Sequence, residues 1–152
     1  MADGLEEERD DLAAMIVPLG RALMAAEVPI LREHGLAMWA YGVLLGLSEE
    51  PVRTQSALAK AIGADKTRII GVLDDLQERG LIRRTPDPAD RRARLLSLTP
   101  EGRRLRDSAQ AAIRRSEDEL LAHLPPDERR AFVRALKTLS VLPWPDPAGP
   151  QT

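Results

Sequence analysis

The pattern of apolar residues changes from helical to extended at Gly80, and this change constrains the fold more than any other feature of the chain. Before Gly80, apolar residues recur at helical spacing over two short stretches, 55–62 and 65–79, which Gly63-Ala64 separates. The residues expected to cap these helices are Thr54, Asp65 and Gly80. Two short helices at this spacing predict a helix-turn-helix.

Two short extended segments follow Gly80. They cover residues 81–85 and 94–98, and the turn-forming run Pro86-Asp87-Pro88-Ala89-Asp90 lies between them. This pattern predicts a β-hairpin, or wing. Thr99-Pro100-Glu101 then predicts the start of a long helix, because Thr caps helices, Pro suits the first helical position and Glu complements the positive end of the helix dipole.

Further helices are predicted on both sides of this region. Apolar residues recur every three or four positions over 12–33, where Pro18 and Pro29 predict a kink or a break. The nearly continuous apolar stretch 36–47 predicts a helix buried in the core, and a last helix follows Pro125-Pro126. The predicted fold class is therefore mainly α, with a small β-hairpin wing attached to the helix-turn-helix.

Composition argues against several classes of function. The chain of 152 residues has no cysteine, which excludes disulfides, thiol nucleophiles and cysteine-ligated zinc. His34 and His123 lie far apart in the sequence, so no metal site and no cofactor are expected. No phosphate-binding glycine loop or nucleophile elbow occurs, so we do not expect an enzyme. Aromatic residues make up only 3%, too few for stacking on single-stranded nucleic acid.

The N-terminal segment predicts a cytoplasmic protein without a membrane span. Residues 1–11 are acidic rather than basic, and they do not follow the pattern of a signal peptide. No uninterrupted apolar run approaches the roughly 18 residues that a membrane span requires.

The charge of the chain is unevenly distributed. The net charge of -2 taken alone argues against a nucleic-acid partner. Residues 53–106, however, carry 13 Lys and Arg against 7 Asp and Glu, so the predicted helix-turn-helix and wing form the basic part of the chain. Five arginines lie close together in the wing: Arg83, Arg84, Arg91, Arg92 and Arg94.

These positions predict how the chain contacts double-stranded DNA. The second helix of a helix-turn-helix enters the major groove with its first turn toward the bases. The candidate base-reading residues are Asp65, Lys66, Thr67 and Arg68. The helical pattern alone suits an ordinary helical hairpin equally well, and it is the arginine-rich wing that favours DNA. An Asp-Arg pair in the wing would hold one arginine outward, which suits a minor groove.

The sequence resembles the multiple antibiotic resistance regulator (MarR) family of bacterial transcription factors. The most specific resemblance is the wing segment 87–102, DPADRRARLLSLTPEG, and the start of the helix that follows it. Supporting motifs are LQERGLIRR at 76–84 and Leu58-Ala59 with Gly63. One departure is that Ile70 and Gly71 stand where many family members carry a polar or basic residue, and neither can donate a side-chain hydrogen bond to a base.

The resemblance implies a winged helix-turn-helix domain with N- and C-terminal dimerisation helices. The expected single domain spans 1–152, with dimerisation helices at 5–34 and 100–141, the winged lobe at 36–99 and a disordered tail at 143–152. A homodimer of this kind implies a palindromic operator in double-stranded DNA. The resemblance further implies that Arg92 enters the minor groove with Asp90 as its salt-bridge partner. The implied phosphate contacts are Thr54, Gln55, Ser56, Arg91 and Arg94.

The implied function is sequence-specific transcriptional regulation, as a repressor that a small phenolic or carboxylic effector releases from DNA. The candidate pocket residues are Pro29, His34, Trp39 and Tyr41. The alternative for these residues is that the aromatic rings fill the core and His34 ends a helix. The alternative for the whole protein is a winged-helix module that binds other proteins and has no sequence-specific contact with DNA.

Overall fold

Six helices and three short strands make up the part of the chain that the computed structural model describes, which is residues 10–48 and 53–143. In chain order these elements are α1 (Leu12–Glu33), α2 (Met38–Gly46), β1 (Arg53–Thr54), α3 (Gln55–Ile62), α4 (Lys66–Glu78), β2 (Ile82–Pro86), β3 (Arg94–Leu98), α5 (Pro100–Leu121) and α6 (Pro126–Ser140). The contacts divide the chain into two compact units, one up to Arg114 and one from Arg115. The expectation of a single domain over 1–152 stays a prediction.

The helix-turn-helix is formed by α3 and α4, with the caps that the sequence predicts. Thr54 Oγ1 accepts a hydrogen bond from the backbone N–H of Ala57 at 3.2 Å, and Asp65 Oδ1 accepts one from Thr67 at 2.8 Å. Gly63 and Gly80 follow α3 and α4 with φ of +68° and +72°, in the left-handed region that favours glycine. These contacts confirm the caps at Thr54, Asp65 and Gly80.

The core of the first unit lies where α2, α3 and α4 pack together. α2 contacts both helices of the helix-turn-helix, and α4 also contacts β2. The fully buried side chains in this core include Val43, Leu44, Leu58, Ile69, Leu73, Leu76, Ile82 and Leu96. Ile69, Leu73 and Leu76 recur at helical spacing, so one side of α4 is fixed in the core and its opposite side faces solvent.

The wing belongs to a three-stranded antiparallel sheet with the strand order β1-β3-β2. Its register runs from Ile82 opposite Leu98 to Pro86 opposite Arg94, and β1 pairs through Arg53 opposite Leu96. The sequence predicts the two hairpin strands but not β1. A strand of two residues is too short to display the alternation of apolar and polar residues by which strands are recognised.

The base of the wing is joined to the start of α5 by Thr99 and Gly102. Thr99 Oγ1 donates a hydrogen bond to the carbonyl oxygen of Gly80 at 2.6 Å and accepts one from the backbone N–H of Gly102 at 3.0 Å. The backbone N–H of Thr99 donates to the carbonyl oxygen of Leu81 at 3.1 Å. Thr99 therefore caps α5, as the sequence predicts, and also holds the first residues after α4.

α1 runs without a break from Leu12 to Glu33, through both Pro18 and Pro29. Of the predicted kink or break at these prolines, the break is therefore wrong, and the kink stays a prediction. Each proline removes the hydrogen bond to the carbonyl one turn earlier, at Ala14 and Ala25. Both of these alanines are exposed, so water can bond the freed carbonyls and the helix continues.

α1 is also long and apolar enough to span a membrane, judged by length and composition alone, although only 6% of its apolar window is buried. This corrects the expectation that nothing in the chain approaches a membrane span. Arg21, Glu27 and the two prolines interrupt the apolar run in the sequence. The mean hydropathy over an 18-residue window of the helix is nevertheless 1.6, because the other residues are mostly apolar. The observation is weak evidence for a membrane, because the core helix of a soluble protein and a signal sequence meet the same criterion.

In the second unit, the end of α5 and α6 are held together by Arg129. Its Nε donates to the carbonyl oxygen of Leu121 at 3.0 Å and its Nη2 to that of Leu124 at 3.2 Å. α6 has no buried residue, and its apolar side chains Phe132, Leu136 and Leu139 are exposed. The predicted tail at 143–152 lies outside the described residues, apart from Pro143, as do residues 5–9 of the predicted first dimerisation helix.

Candidate nucleic-acid interface

The first turn of α4 presents polar side chains to solvent. Lys66, Thr67 and Arg68 are all exposed. Asp65, the fourth candidate reader, uses one carboxylate oxygen to cap the helix at Thr67. The exposed surface continues through Gly71 and Ile70, which is 51% exposed and is the first exposed apolar side chain after the polar turn. The helix therefore offers cationic, hydroxyl and apolar groups on one side.

Arg68 makes a contact that the sequence analysis missed. Its guanidinium carbon lies 5.7 Å from the centroid of the Trp39 ring on α2, which is the distance of a cation–π interaction. The two residues are far apart in the sequence, and only the packing of α2 on α4 brings them together. Trp39 is half-buried, so part of its ring is open to solvent beside the candidate interface.

The tip of the wing exposes Arg91, Arg92 and Arg94. Asp90 Oδ1 accepts a hydrogen bond from the backbone N–H of Arg92 at 3.0 Å, and Asp87 Oδ1 accepts one from the backbone of Ala89 at 2.8 Å. No ion pair joins the side chains of Asp90 and Arg92 among the described residues. The predicted salt bridge is therefore corrected: the aspartates shape the turn through the backbone.

Arg84 is directed away from solvent, toward α4. Its guanidinium forms an ion pair with Asp74, and its Nε donates to Gln77 Oε1 at 2.5 Å. This residue thus ties β2 of the wing to α4, whereas Arg83 on the same strand is exposed. A cleft of about 410 Å³ lined by Gln77, Arg84 and Arg94 lies at this junction. The i, i+3 spacing places Asp74 and Gln77 on one side of α4, but this spacing alone does not identify Arg84 as their partner.

The candidate phosphate contacts at the start of α3 differ in how far they are exposed and in whether they already bond the backbone. Thr54 is half-buried, belongs to β1 and caps α3. Gln55 is half-buried and Ser56 is exposed. The N-terminus of a helix favours anions because its free N–H groups and its dipole point outward. These three residues stay candidates for phosphate contacts.

The four candidate pocket residues have different surroundings in the described part of the chain, and a shared pocket stays a prediction. Tyr41 is buried in the core, Pro29 is exposed and Trp39 packs on Arg68. His34 ends α1: its Nδ1 donates to the carbonyl oxygen of Ile30 at 2.8 Å, and its Nε2 lies within hydrogen-bond distance of Ser108 Oγ, at 3.2 Å. A different cavity of about 310 Å³ lies beside the junction of α1 and α2. It is lined by Val28, Leu31, Arg32, Leu36, Ala37 and Met38.

Comparisons with known proteins agree with the resemblance seen in the sequence. Residues 34–93 match the model of the MarR family. A protein of Thauera aromatica, provisionally described as the transcriptional regulatory protein for the hcr operon, is 34% identical over 110 residues, which cover 72% of this chain and 66% of that protein. A crystal structure of a MarR-family transcriptional regulator from Rhodococcus sp. RHA1 is 30% identical, with a TM-score of 0.74, and the match covers 88% of this chain and 97% of that one.

The chain belongs to the MarR family. Its members are transcriptional regulators. Among MarR-family structures similar to this chain, the transcriptional repressor CouR bound to a 23-mer DNA duplex has 28% identity and a TM-score of 0.74, and the match covers 92% of this chain and 99% of that one. The PcaV transcriptional regulator of Streptomyces coelicolor, in complex with its natural ligand, has 30% identity and a TM-score of 0.65. This match covers 87% of the present chain and 96% of the PcaV chain.

Proposed function

We propose that this MarR-family regulator binds a palindromic operator in double-stranded DNA as a homodimer and acts as a repressor. The observation that carries the proposal is the combination, in one packed lobe, of an exposed polar first turn on α4 and an exposed arginine-rich wing. The cationic side chains of both groups are exposed, so neither group is explained by packing in the core or by capping of a helix. The DNA complex of CouR supports the same use of this fold.

The two exposed groups read different grooves. Lys66, Thr67 and Arg68 contact base edges in the major groove, and Ile70 lies close enough in the helix to meet a thymine methyl group. Arg92 enters the minor groove, where narrow A·T-rich segments attract arginine. Arg91, Arg94 and the start of α3 contact phosphates, which fixes the orientation of the lobe but carries no sequence information. Asp65 and Asp90 support these contacts through the backbone bonds already described.

The homodimer is supported by exposed apolar residues on the terminal helices. On α1 these include Leu12, Ile16 and Met24, and on α6 they are Phe132, Leu136 and Leu139. A soluble monomer rarely leaves stripes of this kind uncovered. In the dimer, a second copy of the chain covers α1, so we assign this helix to a protein interface in the cytoplasm and not to a lipid bilayer. Two-fold symmetry places the recognition helices about 34 Å apart, one turn of DNA.

Replacing Leu136 with Glu is expected to disrupt the homodimer. Leu136 is 53% exposed in the single chain, so the substitution removes little packing within it, but it places a charge in an apolar interface. We expect sedimentation to report a monomer, or circular dichroism to report loss of the fold. Arg134→Glu is the control, because it puts the same side chain on the other side of α6 and should leave the dimer intact. A Leu136→Glu protein that remains a folded dimer at micromolar concentration would contradict the proposed interface.

A small carboxylic or phenolic effector suits the cavity at the junction of α1 and α2. Its lining is mainly apolar, and the single ionisable side chain in it, Arg32, supplies a cation for a carboxylate or phenolate. The ligand complex of PcaV supports effector control of this fold. We assign the chain no catalytic role, since regulation requires only reversible binding of DNA and effector.

The test of the proposed function is to select bound duplexes from a random DNA pool and then to measure their affinity at increasing salt. A DNA-binding protein enriches a palindrome, and the logarithm of its affinity falls steeply with the logarithm of salt concentration because bound cations release counterions. A protein-interaction module enriches no sequence and binds the pool weakly. Absence of an enriched palindrome therefore contradicts DNA reading and favours the protein-interaction alternative.

A further inference from the structure

Trp39 and Arg68 form a contact that connects α2 to the first turn of the recognition helix. We propose that Trp39 is a positioning residue for DNA recognition: it holds the Arg68 guanidinium ready for a guanine in the operator half-site. The inference rests on the proposed function, because it assumes that α4 reads bases. It assigns to Trp39 a role other than the effector pocket that the sequence predicts.

The type of contact matters because it leaves the donors of Arg68 free. A cation–π contact engages the charge of the guanidinium and requires no carboxylate or carbonyl acceptor for its N–H groups. Arg84 offers the contrast, since its donors bond Asp74 and Gln77. In the described part of the chain, Arg68 has no hydrogen bond or ion pair within the protein. It is therefore held in place and can still donate a bidentate pair of hydrogen bonds to guanine O6 and N7.

The backbone on either side of the contact is held by the core. Trp39 lies one helical turn before Val43, and Val43 and Leu44 are fully buried where α2 packs. Arg68 directly precedes the buried Ile69 on α4. The backbones of α2 and α4 are thus fixed at this point. The long side chain of Arg68 is the part that the contact with Trp39 orders. Ordering it before DNA arrives lowers the conformational entropy lost on binding, which otherwise weakens the complex.

The experiment is a double-mutant cycle on the duplex that the wild-type protein selects from the random pool. Trp39→Leu removes the ring but keeps apolar bulk, and we expect affinity to fall roughly 2- to 30-fold, the range that a cation–π interaction supports. Arg68→Ala should lower affinity further and relax the preference for guanine at one position. The double variant should bind about as weakly as Arg68→Ala alone, because the ring acts through the arginine.

Three controls separate this role from a merely structural one. Trp39→Phe keeps an aromatic face and should recover most of the affinity that Trp39→Leu loses. Lys66→Ala, in the same turn of α4, should add its loss to that of Trp39→Leu, since no hydrogen bond, ion pair or cation–π contact joins Lys66 and Trp39 among the described residues. In a Trp144→Phe background, the fluorescence of Trp39 should change in Arg68→Ala and stay unchanged in Lys66→Ala. Thermal unfolding reports whether each variant is folded.

Each outcome bears on a different claim. If Arg68→Ala weakens binding and Trp39→Leu does not, or if their losses add, the positioning role of Trp39 is wrong although DNA reading by α4 stands. If Arg68→Ala leaves the selected sequence unchanged, Arg68 reads no base and both its proposed role and that of Trp39 are wrong. If Trp39→Leu is unfolded, Trp39→Phe and the fluorescence of the Arg68→Ala protein decide the question in its place.

Discussion

Replacing Gly102 with alanine is expected to destabilise the protein by about 3 kcal/mol or more, the upper end of the cost of forcing an extra group into packed structure. A Cβ at this position would overlap the carbonyl oxygen of Leu81 and lie 2.9 Å from its carbonyl carbon. Both atoms belong to the backbone, so no side-chain rotation relieves the overlap. The carbonyl of Leu81 also accepts the hydrogen bond of the Thr99 N–H, and moving it weakens that bond. Chemical denaturation of the purified variant measures the loss.

Gly71→Ala is the matched control, and we expect it to raise the free energy of unfolding where Gly102→Ala lowers it. Gly71 lies in the interior of α4, is exposed and has nothing within 4 Å of an added Cβ. Alanine there should stabilise the protein by up to about 1 kcal/mol, because glycine costs that much in a helix interior. If Gly102→Ala is as stable as the wild type, the close approach of α5 to Leu81 does not exist in solution and the connection between the wing and α5 must be revised.

The local signals in the sequence predicted most of the winged lobe. The bounds of α3 agree with the prediction, and the caps at Thr54 and Asp65 form the expected hydrogen bonds. Cap and turn residues act on backbone groups two or three positions away, so their effect is visible in the sequence. The local structure from α3 to the start of α5 can therefore be predicted from the residues of that segment. The family match over 34–93 includes most of the same segment.

What the sequence did not predict depends on contacts between distant residues. β1 exists because Arg53 and Thr54 pair with Leu96 and Leu95 of β3, more than a whole helix-turn-helix later in the chain. Trp39 meets Arg68 only through helix packing. Clustering of charge in the sequence likewise did not distinguish Arg84, which joins the wing to α4, from the exposed arginines. Such partners follow from tertiary structure, which no local spacing encodes.

The wing loop shows how a correct motif can suggest a wrong contact. Asp90 and Arg92 are near neighbours of opposite charge, and a salt bridge was the simplest expectation. The carboxylate instead accepts the Arg92 N–H at 3.0 Å. This hydrogen bond from the side chain of Asp90 to the backbone two residues later closes a tight turn. It does not use the guanidinium of Arg92, which can extend into solvent. The arginine is thus available to DNA without losing a partner first.

Arg92→Ala is expected to weaken binding to the selected operator by about 2 kcal/mol, close to thirtyfold, and to reduce the salt dependence by about one counterion. Arg92 is exposed and packs nothing, so the dimer and its stability should not change. The loss should be similar on the selected duplex and on one that keeps its flanking A·T pairs but has scrambled half-sites, because the minor groove distinguishes A·T from G·C pairs and little else. Fluorescence anisotropy with labelled duplexes at several salt concentrations measures all of these quantities.

Arg114→Ala and Asp90→Asn complete this test. Arg114 is an exposed arginine on α5, so its removal deletes the same charge away from the wing and should leave DNA affinity nearly unchanged. Asparagine at position 90 keeps the oxygen that accepts the Arg92 N–H but removes the charge. If Asp90 acts through the turn, Asp90→Asn binds DNA as well as the wild type; if it acts through a salt bridge formed on DNA, this variant loses affinity like Arg92→Ala. An unchanged affinity in Arg92→Ala itself would rule out its place in the minor groove.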